Sequence, residues 1–281
     1  MRRGSRRPRS FYALGAFFAL FVLFLYGPTL TIVILSFQGP KGGLTFPMNG
    51  LSLHWFASLF EQQMVGDFAG SFQRSLILGI VVMAITVVFS FVGGLAFRRG
   101  FRGSAVLFYL AITSLIVPSV LISLGIGLMF RILGWDPAWY SSALGAHLTW
   151  TLPFGLLIMF AIFNRFDRSY EEAARDLGAS PWQTIRHVVI PIVAPSLVGI
   201  GLFGFTLSYD EFSRSLYTAG SFNTLPLEIY GMTTNVTTPV LYALGTVTTG
   251  VSFLVIFAAL IAYRTIERRR ERLGSDAGTA A

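Results

Sequence analysis

The sequence predicts an all-α protein, a polytopic membrane helical bundle of six transmembrane helices with both termini cytoplasmic. Three observations predict it. Of 281 residues, 54% are hydrophobic and only 12% charged, where an ordinary soluble domain carries about a quarter charged residues. The apolar residues gather into blocks of the ~20-residue length that a helix needs to cross a bilayer core. The basic residues fall almost entirely on one side of those blocks. A mean hydropathy of +0.67 speaks against a disordered chain and a soluble enzyme alike. Cysteine is absent, which excludes a disulfide framework, a thiol nucleophile and a Cys-ligated metal.

The six blocks are Phe11–Phe37, Ser75–Phe97, Ser104–Phe130, Ala143–Phe163, Ile192–Phe212 and Val240–Tyr263. Their ionisable side chains are His147, near the start of the fourth, and Asp210 and Glu211, at the end of the fifth. Pro28, Pro118 and Pro153 fall inside blocks, where neighbouring helices satisfy the freed carbonyls and a kink is tolerable. Pro195 is expected in a first turn, where proline costs little.

Charge sets the orientation. Seventeen of the 21 basic residues lie before block one, between two and three, between four and five, or after six; Lys41, Arg74, Arg131 and Arg214 lie on the other side. The basic side is the cytoplasmic one. Arg6-Arg7 before an apolar run resembles a twin-arginine export signal, but the run is longer than a signal-peptide core and no small-residue cleavage site follows. The basic tails serve orientation and membrane-lipid contact rather than nucleic acid.

These blocks divide the chain into a basic tail, first helix and external segment (1–70), a transmembrane domain (71–263) and a cytoplasmic tail (264–281). In the external segment, Leu51–Phe60 reads as a short amphipathic helix with Trp55, Phe56 and Phe60 suited to a membrane surface. Gly274–Ala281 is small and polar and is expected to be irregular.

The loop between blocks four and five, Asn164–Pro191, is strongly patterned. Ser169 and Glu172 have capping-box spacing. A helix Tyr170–Leu177 then runs to Gly178, a left-handed stop. Ser180 with Pro181 starts a second helix, Trp182–Ile190, ended by Pro191. Helix, glycine turn and helix allow three readings. A DNA-binding unit is excluded by the flanking spans and by four acids, Asp167, Glu171, Glu172 and Asp176, that offset its four arginines. A connector lying on the membrane remains open, as does a compact knob, small at Ala173 and Ala174, that another protein's groove could admit.

The run Glu171-Glu172-Ala173-Ala174-Arg175-Asp176-Leu177-Gly178, continuing to Ile190-Pro191, resembles the EAA loop of ABC importer permeases, with Ile before the final proline in place of the commoner Leu. The stretches Ser208–Phe212 and Thr224–Met232 are similar to the spermidine/putrescine branch, itself similar to permeases for iron, thiamine, sulfate, opine-type and amino-acid solutes. The resemblance covers roughly Phe72–Tyr263. It implies a permease subunit that works with a second, homologous permease, two ATPase subunits and an extracytoplasmic solute-binding protein. It also implies that Glu171, Glu172, Ala173, Ala174, Asp176, Gly178 and Pro191 belong to the ATPase-coupling loop.

The residues also argue against an enzyme. The chain has one lysine, Lys41, and no G-x-x-x-x-G-K-[ST], so ATP use requires a separate subunit. His54, His147 and His187 are scattered and form no metal triad, and no cofactor is expected. A self-contained secondary transporter would need coupling-ion residues near the midplane, which the blocks lack apart from His147. Function thus concentrates in the loop and in the acids of block five. Asp210 lies about 27 Å from Ile192 along a helix, near the outer end. Two readings of Tyr209, Asp210 and Glu211 stand side by side: an anionic mouth with a ring for cation–π contact, or an ion pair with Arg214. Gly199, Gly201 and Gly204 on the same block are expected to permit close helix packing.

Overall fold

The computed structural model describes residues 8–61, 66–235 and 238–279. Arg2, Arg3, Arg6 and Arg7, part of the charge asymmetry, lie outside the described residues. Among those described, helices carry the architecture, and strand pairing is confined to two isolated bridges, Gln38–Leu51 and Ala138–Gly220.

The helices are α1 (Arg9–Leu35), α2 (His54–Ser58), α3 (Phe68–Arg99), α4 (Ser104–Ile116), α5 (Ser119–Ile132), α6 (Leu144–Asn164), α7 (Ser169–Asp176), α8 (Pro181–Thr184), α9 (Ile190–Tyr209), α10 (Leu225–Asn235) and α11 (Val240–Thr279). Among the described residues five stretches are long and apolar enough to cross a membrane, Arg9–Leu35, Phe68–Arg99, Trp139–Asn164, Pro181–Tyr209 and Val240–Thr265, and a bent helix pair, Ser104–Ile116 with Ser119–Ile132, makes a sixth if counted as one span. The third apolar block departs from expectation. It is no single helix but two, α4 and α5, that meet at 108°. Val117 is extended and Pro118 caps α5. A residue before proline is pushed out of the helical region, and the proline lacks the N–H that would continue the ladder. The expected kink is therefore a full break.

The chain divides into two units, Met1–Gly66 with Met232–Val251, and Asp67–Gly231 with Ser252–Ala281. In the first, the buried Gln38 organises the segment after α1. Its amide donates to the Gly43 carbonyl (3.2 Å) and its Oε1 accepts from the Asn49 N–H (2.7 Å). The Tyr242 hydroxyl donates to the Leu44 carbonyl (2.7 Å). The amphipathic helix expected over Leu51–Phe60 shrinks to α2, and Phe60 is exposed.

The second unit is built on α3, α6 and α9. Asp67 opens α3 by accepting from the Gly70 N–H (3.0 Å), so the helix starts ahead of its apolar block; Arg98 and Arg99 close it beside the dipole's negative end. Small residues bring the three helices together, as expected where lipid supplies no hydrophobic drive between them. Thr86 donates to Thr151 (3.0 Å). A Cβ on Gly155 would collide with the Ser90 hydroxyl, and one on Gly204 would sit 3.4 Å from Thr86. Gly201 lies as closely on α3, whereas Gly199 faces open space. Toward the arginine-bearing end of α3, Met159, Phe163, Val189, Val193 and Ile200 form an apolar cluster.

Two further differences concern helix ends. Pro191 does not end a helix, and Pro195 stands inside one: the chain stays helical from Pro181 through a π-helical turn, Ile185–Val189, into α9. The wide turn includes His187, the residue whose carbonyl the Pro191 ring would otherwise strike, and so absorbs the clash. The end expected to be irregular, Gly274–Ala281, continues α11 as far as Thr279; Ala280 and Ala281 lie outside the described residues.

Candidate functional site

The loop after α6 is a tightly specified turn between two helices. The capping box expected at Ser169 does not form. Asp167 Oδ1 instead accepts from the Ser169 N–H (2.9 Å), because a carboxylate two residues ahead offers the first turn a stronger acceptor than a hydroxyl. Hydrogen bonding from Ser169, its backbone N–H foremost and its side chain second, holds the Asp167 carboxyl below its ordinary value. At the other end Gly178 has φ +83°, the Gly178 N–H donates to Arg175 O (2.8 Å) and the Ala179 N–H to Ala174 O (3.0 Å). This pair of bonds is a Schellman motif, whose left-handed position glycine fills without strain. A capping box does form one turn later. The Ser180 hydroxyl accepts from the Gln183 N–H (3.3 Å) and Gln183 Oε1 from the Ser180 N–H (2.7 Å).

The side chains of α7 divide into two sets. Glu171 turns toward the body of the unit and pairs with Arg98 at the end of α3, 2.7 Å apart, both mostly buried. The Arg98 guanidinium also lies over the Phe166 ring (4.8 Å) and the Phe163 ring (5.5 Å). Glu172, Ala173, Asp176 and Gly178 are exposed, and Ala174 is half-buried. Leu177 is 90% exposed and Trp182 64%. Apolar side chains held this far into solvent on a rigid turn form a surface that another protein can cover. Pro191 stands apart from this surface, in the helix beyond the π-helical turn.

At the opposite end of α9 the three acid-block residues part company. Tyr209 is buried and stacks on Phe205 at 5.5 Å, and its hydroxyl finds no hydrogen-bond partner among the described residues. Asp210 is exposed. Glu211 is buried and pairs with Arg214: its Oε1 accepts from the Arg214 N–H (2.8 Å) and its Oε2 lies 3.8 Å from Nη1. Of the neighbours that spacing offered Arg214, the i−3 carboxylate is the one that pairs.

Arg214, 1% exposed, is the centre of this end. Its Nε donates to Thr149 (3.2 Å), its Nη1 to Ser119 (2.7 Å), and its guanidinium lies 4.5 Å from the centre of the Trp150 ring. Ser123 donates to its carbonyl (3.0 Å). Nearby, His147 lies between two hydroxyls, Ser208 (2.8 Å) and Ser215 (2.9 Å). Within the irregular segment 210–224, Glu211, Arg214, Ser215 and Thr218 are buried and hydrogen-bonded, as non-helical backbone at membrane depth requires, while Asp210, Tyr217 and Ser221–Asn223 are exposed. Sequence reasoning missed Arg98, Ser119, Thr149 and the depth of Arg214. The one available signal was that an arginine at the edge of an apolar block needs acceptors, and those lie far away along the chain.

The family described as binding-protein-dependent transport system inner membrane component matches residues 86–272, a stretch that holds both ends of this arrangement. The chain belongs to that family. This inner membrane component is 28% identical to the spermidine/putrescine transport system permease protein PotC of Haemophilus influenzae over 263 residues, 89% of this chain and 96% of that protein. It is likewise 28% identical over 256 residues to the putrescine transport system permease protein PotI of Escherichia coli K12, covering 89% and 90%. Among solved structures, a chain of a bacterial alginate ABC transporter in complex with an alginate pentasaccharide-bound periplasmic protein matches with a TM-score of 0.66 at 14% identity, covering 91% of this chain and 94% of that one. A chain of the inward-facing MetNI methionine ABC transporter matches at 0.52 and 18%, covering 70% and 96%. At such identities these structures bear on the fold alone. The described residues of this family member contain no group of three His, Asp or Glu side chains that could hold a metal.

Proposed function

We propose that this inner membrane component is the permease subunit of an ABC importer for a polyamine-like, cationic organic solute. In this reading both termini and the Ser169–Ile190 turn are cytoplasmic, two ATPase subunits bind the turn and hydrolyse ATP, and a second, homologous permease completes the pathway. An extracytoplasmic binding protein delivers the solute at the Asp210 end. The observation that carries the reading is the turn itself. Its backbone is locked at Gly178 and Ser180, it is bolted to α3 through Arg98 and Glu171, and its apolar side chains stand in solvent. A turn fixed in this way transmits a push into α3 and α9 instead of yielding to it. Two relatives named for spermidine or putrescine transport support the solute class.

At the other end Glu211 is neutralised by Arg214, which leaves Asp210 as the carboxylate free to meet a cation. Two measurements test the reading. Leu177→Glu places a charge on an exposed side chain, so the protein should fold and lose co-purification with its ATPase subunits; retained association would remove the turn from the coupling contact. Asp210→Asn should lower spermidine uptake several-fold at unchanged protein level and basal ATPase activity. Unchanged uptake would withdraw the cation reading and leave the coupling reading standing.

A further inference from the structure

Beside the coupling turn lies a cleft of about 480 Å³ between the end of α3, α7 and the Pro181–Ile185 stretch that follows the turn. Its walls include Leu95, Arg98, Arg99, Arg168, Glu172 and Arg175. Arg98 is committed to Glu171. Arg99, Arg168 and Arg175 are exposed and make no ion pair among the described residues, and they face one remaining acid, Glu172. The cleft therefore holds two more positive charges than negative ones beyond the internal pair.

We propose that this cleft binds the phosphate group of an anionic phospholipid, and so ties the coupling turn to the membrane surface. The depth of the cleft favours a lipid over a soluble partner. Leu95 belongs to the apolar span and Arg98 and Arg99 are the first charged residues beyond it, so the cleft opens where hydrocarbon gives way to headgroups. A phosphodiester there has acyl chains alongside α3 and its charge among guanidiniums, which suit phosphate oxygens in planar, paired geometry. The volume exceeds one phosphate and admits a glycerol headgroup. Assignment to the inner leaflet rests on the orientation proposed above; binding itself does not.

Native mass spectrometry of the assembled transporter, carrying phosphatidylglycerol or phosphatidylcholine from nanodiscs of each, tests this. Phosphatidylglycerol should be retained preferentially. Arg99→Gln with Arg168→Gln should weaken that retention by about fivefold per arginine, roughly 25-fold for the pair, while phosphatidylcholine is unaffected. Arg102→Gln, in the same loop but outside the cleft, should change nothing. Because both leaflets of a nanodisc carry the lipid, failure here is distinct from failure of the orientation. Equal retention of both lipids, or unchanged phosphatidylglycerol retention in the double variant, overturns the proposal. So does displacement of the lipid by millimolar inorganic phosphate, which would make the cleft a free-anion site. Loss of ATPase association with lipid retention intact also overturns it, since the arginines would then serve a protein.

Discussion

The two ends of this protein solve similar local problems with the same parts and reach opposite results. At each, an arginine lies over aromatic rings and pairs with a glutamate: Arg98 with Glu171 over Phe163 and Phe166, Arg214 with Glu211 over Trp150. The Arg98 pair is short, at 2.7 Å, and holds an exposed turn against the bundle from outside. The Arg214 pair is longer, at 3.8 Å, but hydroxyls of Ser119 and Thr149 hold the arginine, and both partners are buried. One end is held to the bundle by one ion pair among the described residues and keeps Leu177 and Trp182 open. The other is fastened on several sides, and its Arg214 and Glu211 are closed to solvent while Asp210 stays open. Burial, more than the ion pair, decides which end can be met by a partner.

The comparison breaks most visibly at Arg214. Arg214→Ala leaves Glu211 buried without its cation and removes the donors to Ser119 and Thr149. It should cost about 3–5 kcal/mol, seen as loss of folded protein or a lowered midpoint in thermal unfolding, with Arg214→Lys intermediate. At the other end Glu171→Gln should cost about 1–3 kcal/mol and leave the bundle folded. Its signature is faster hydrogen exchange across Ser169–Asp176 with little change in α3, and equal effects from the two glutamates would refute the distinction. Gly178→Val faces open space, so its penalty is backbone alone, about 1–2 kcal/mol for a left-handed β-branched residue. It should lower ATPase association without lowering protein level, whereas Gly178→Asn should preserve both.

Smaller effects sharpen the picture of the turn. Ser180→Ala removes one half of the capping box and should cost about 1 kcal/mol, measured as local exchange in Pro181–Thr184. The smallest effect is a pH dependence at Asp167. Its carboxyl titrates below the ordinary value of 3.8 because the Ser169 N–H donates to its charged form. The resulting stabilisation of α7 is complete above that value and is lost as pH falls through the lower native one. Asp167→Asn should abolish this dependence in an NMR titration of the Ser169 amide.

Much of the frame was legible in the sequence, and the failures share a cause. Apolar block length located the crossing helices, and Gly178 and Ser180-Pro181 announced their turn, because each is a local rule about backbone or solvation. The break at Pro118 was legible only as a kink, since proline within a span bends or breaks a helix according to what its neighbours supply. The cap at Ser169 failed because Asp167, two residues earlier, outcompeted it. Pro191 reads as a stop in the sequence, yet a π-helical turn upstream accommodates it, a rearrangement without a sequence marker. Arg214 looked interfacial because its partners, Ser119 and Thr149, are ordinary hydroxyls far along the chain and carry no motif. Tyr209, grouped with the acids by adjacency, turns inward because the helix ends there and places neighbours on different sides.

The broken helix pair carries a consequence for how the chain is made. The halves have 13 and 14 residues, about 20 Å each, well short of a ~30 Å hydrocarbon core. Neither half can insert as a membrane anchor alone, so they must leave the insertion machinery as one unit. The contact that holds the second half, Arg214 to Ser119, spans 95 residues. At 5–20 residues per second the ribosome needs roughly 5–20 s to deliver that arginine. During that interval Ser119 and Ser123 stand without their partner, and the bend is a promise kept only when the chain beyond α9 arrives. Nascent chains arrested before Arg214 should therefore leave this pair open to proteases and quality control, and those arrested well beyond it should not.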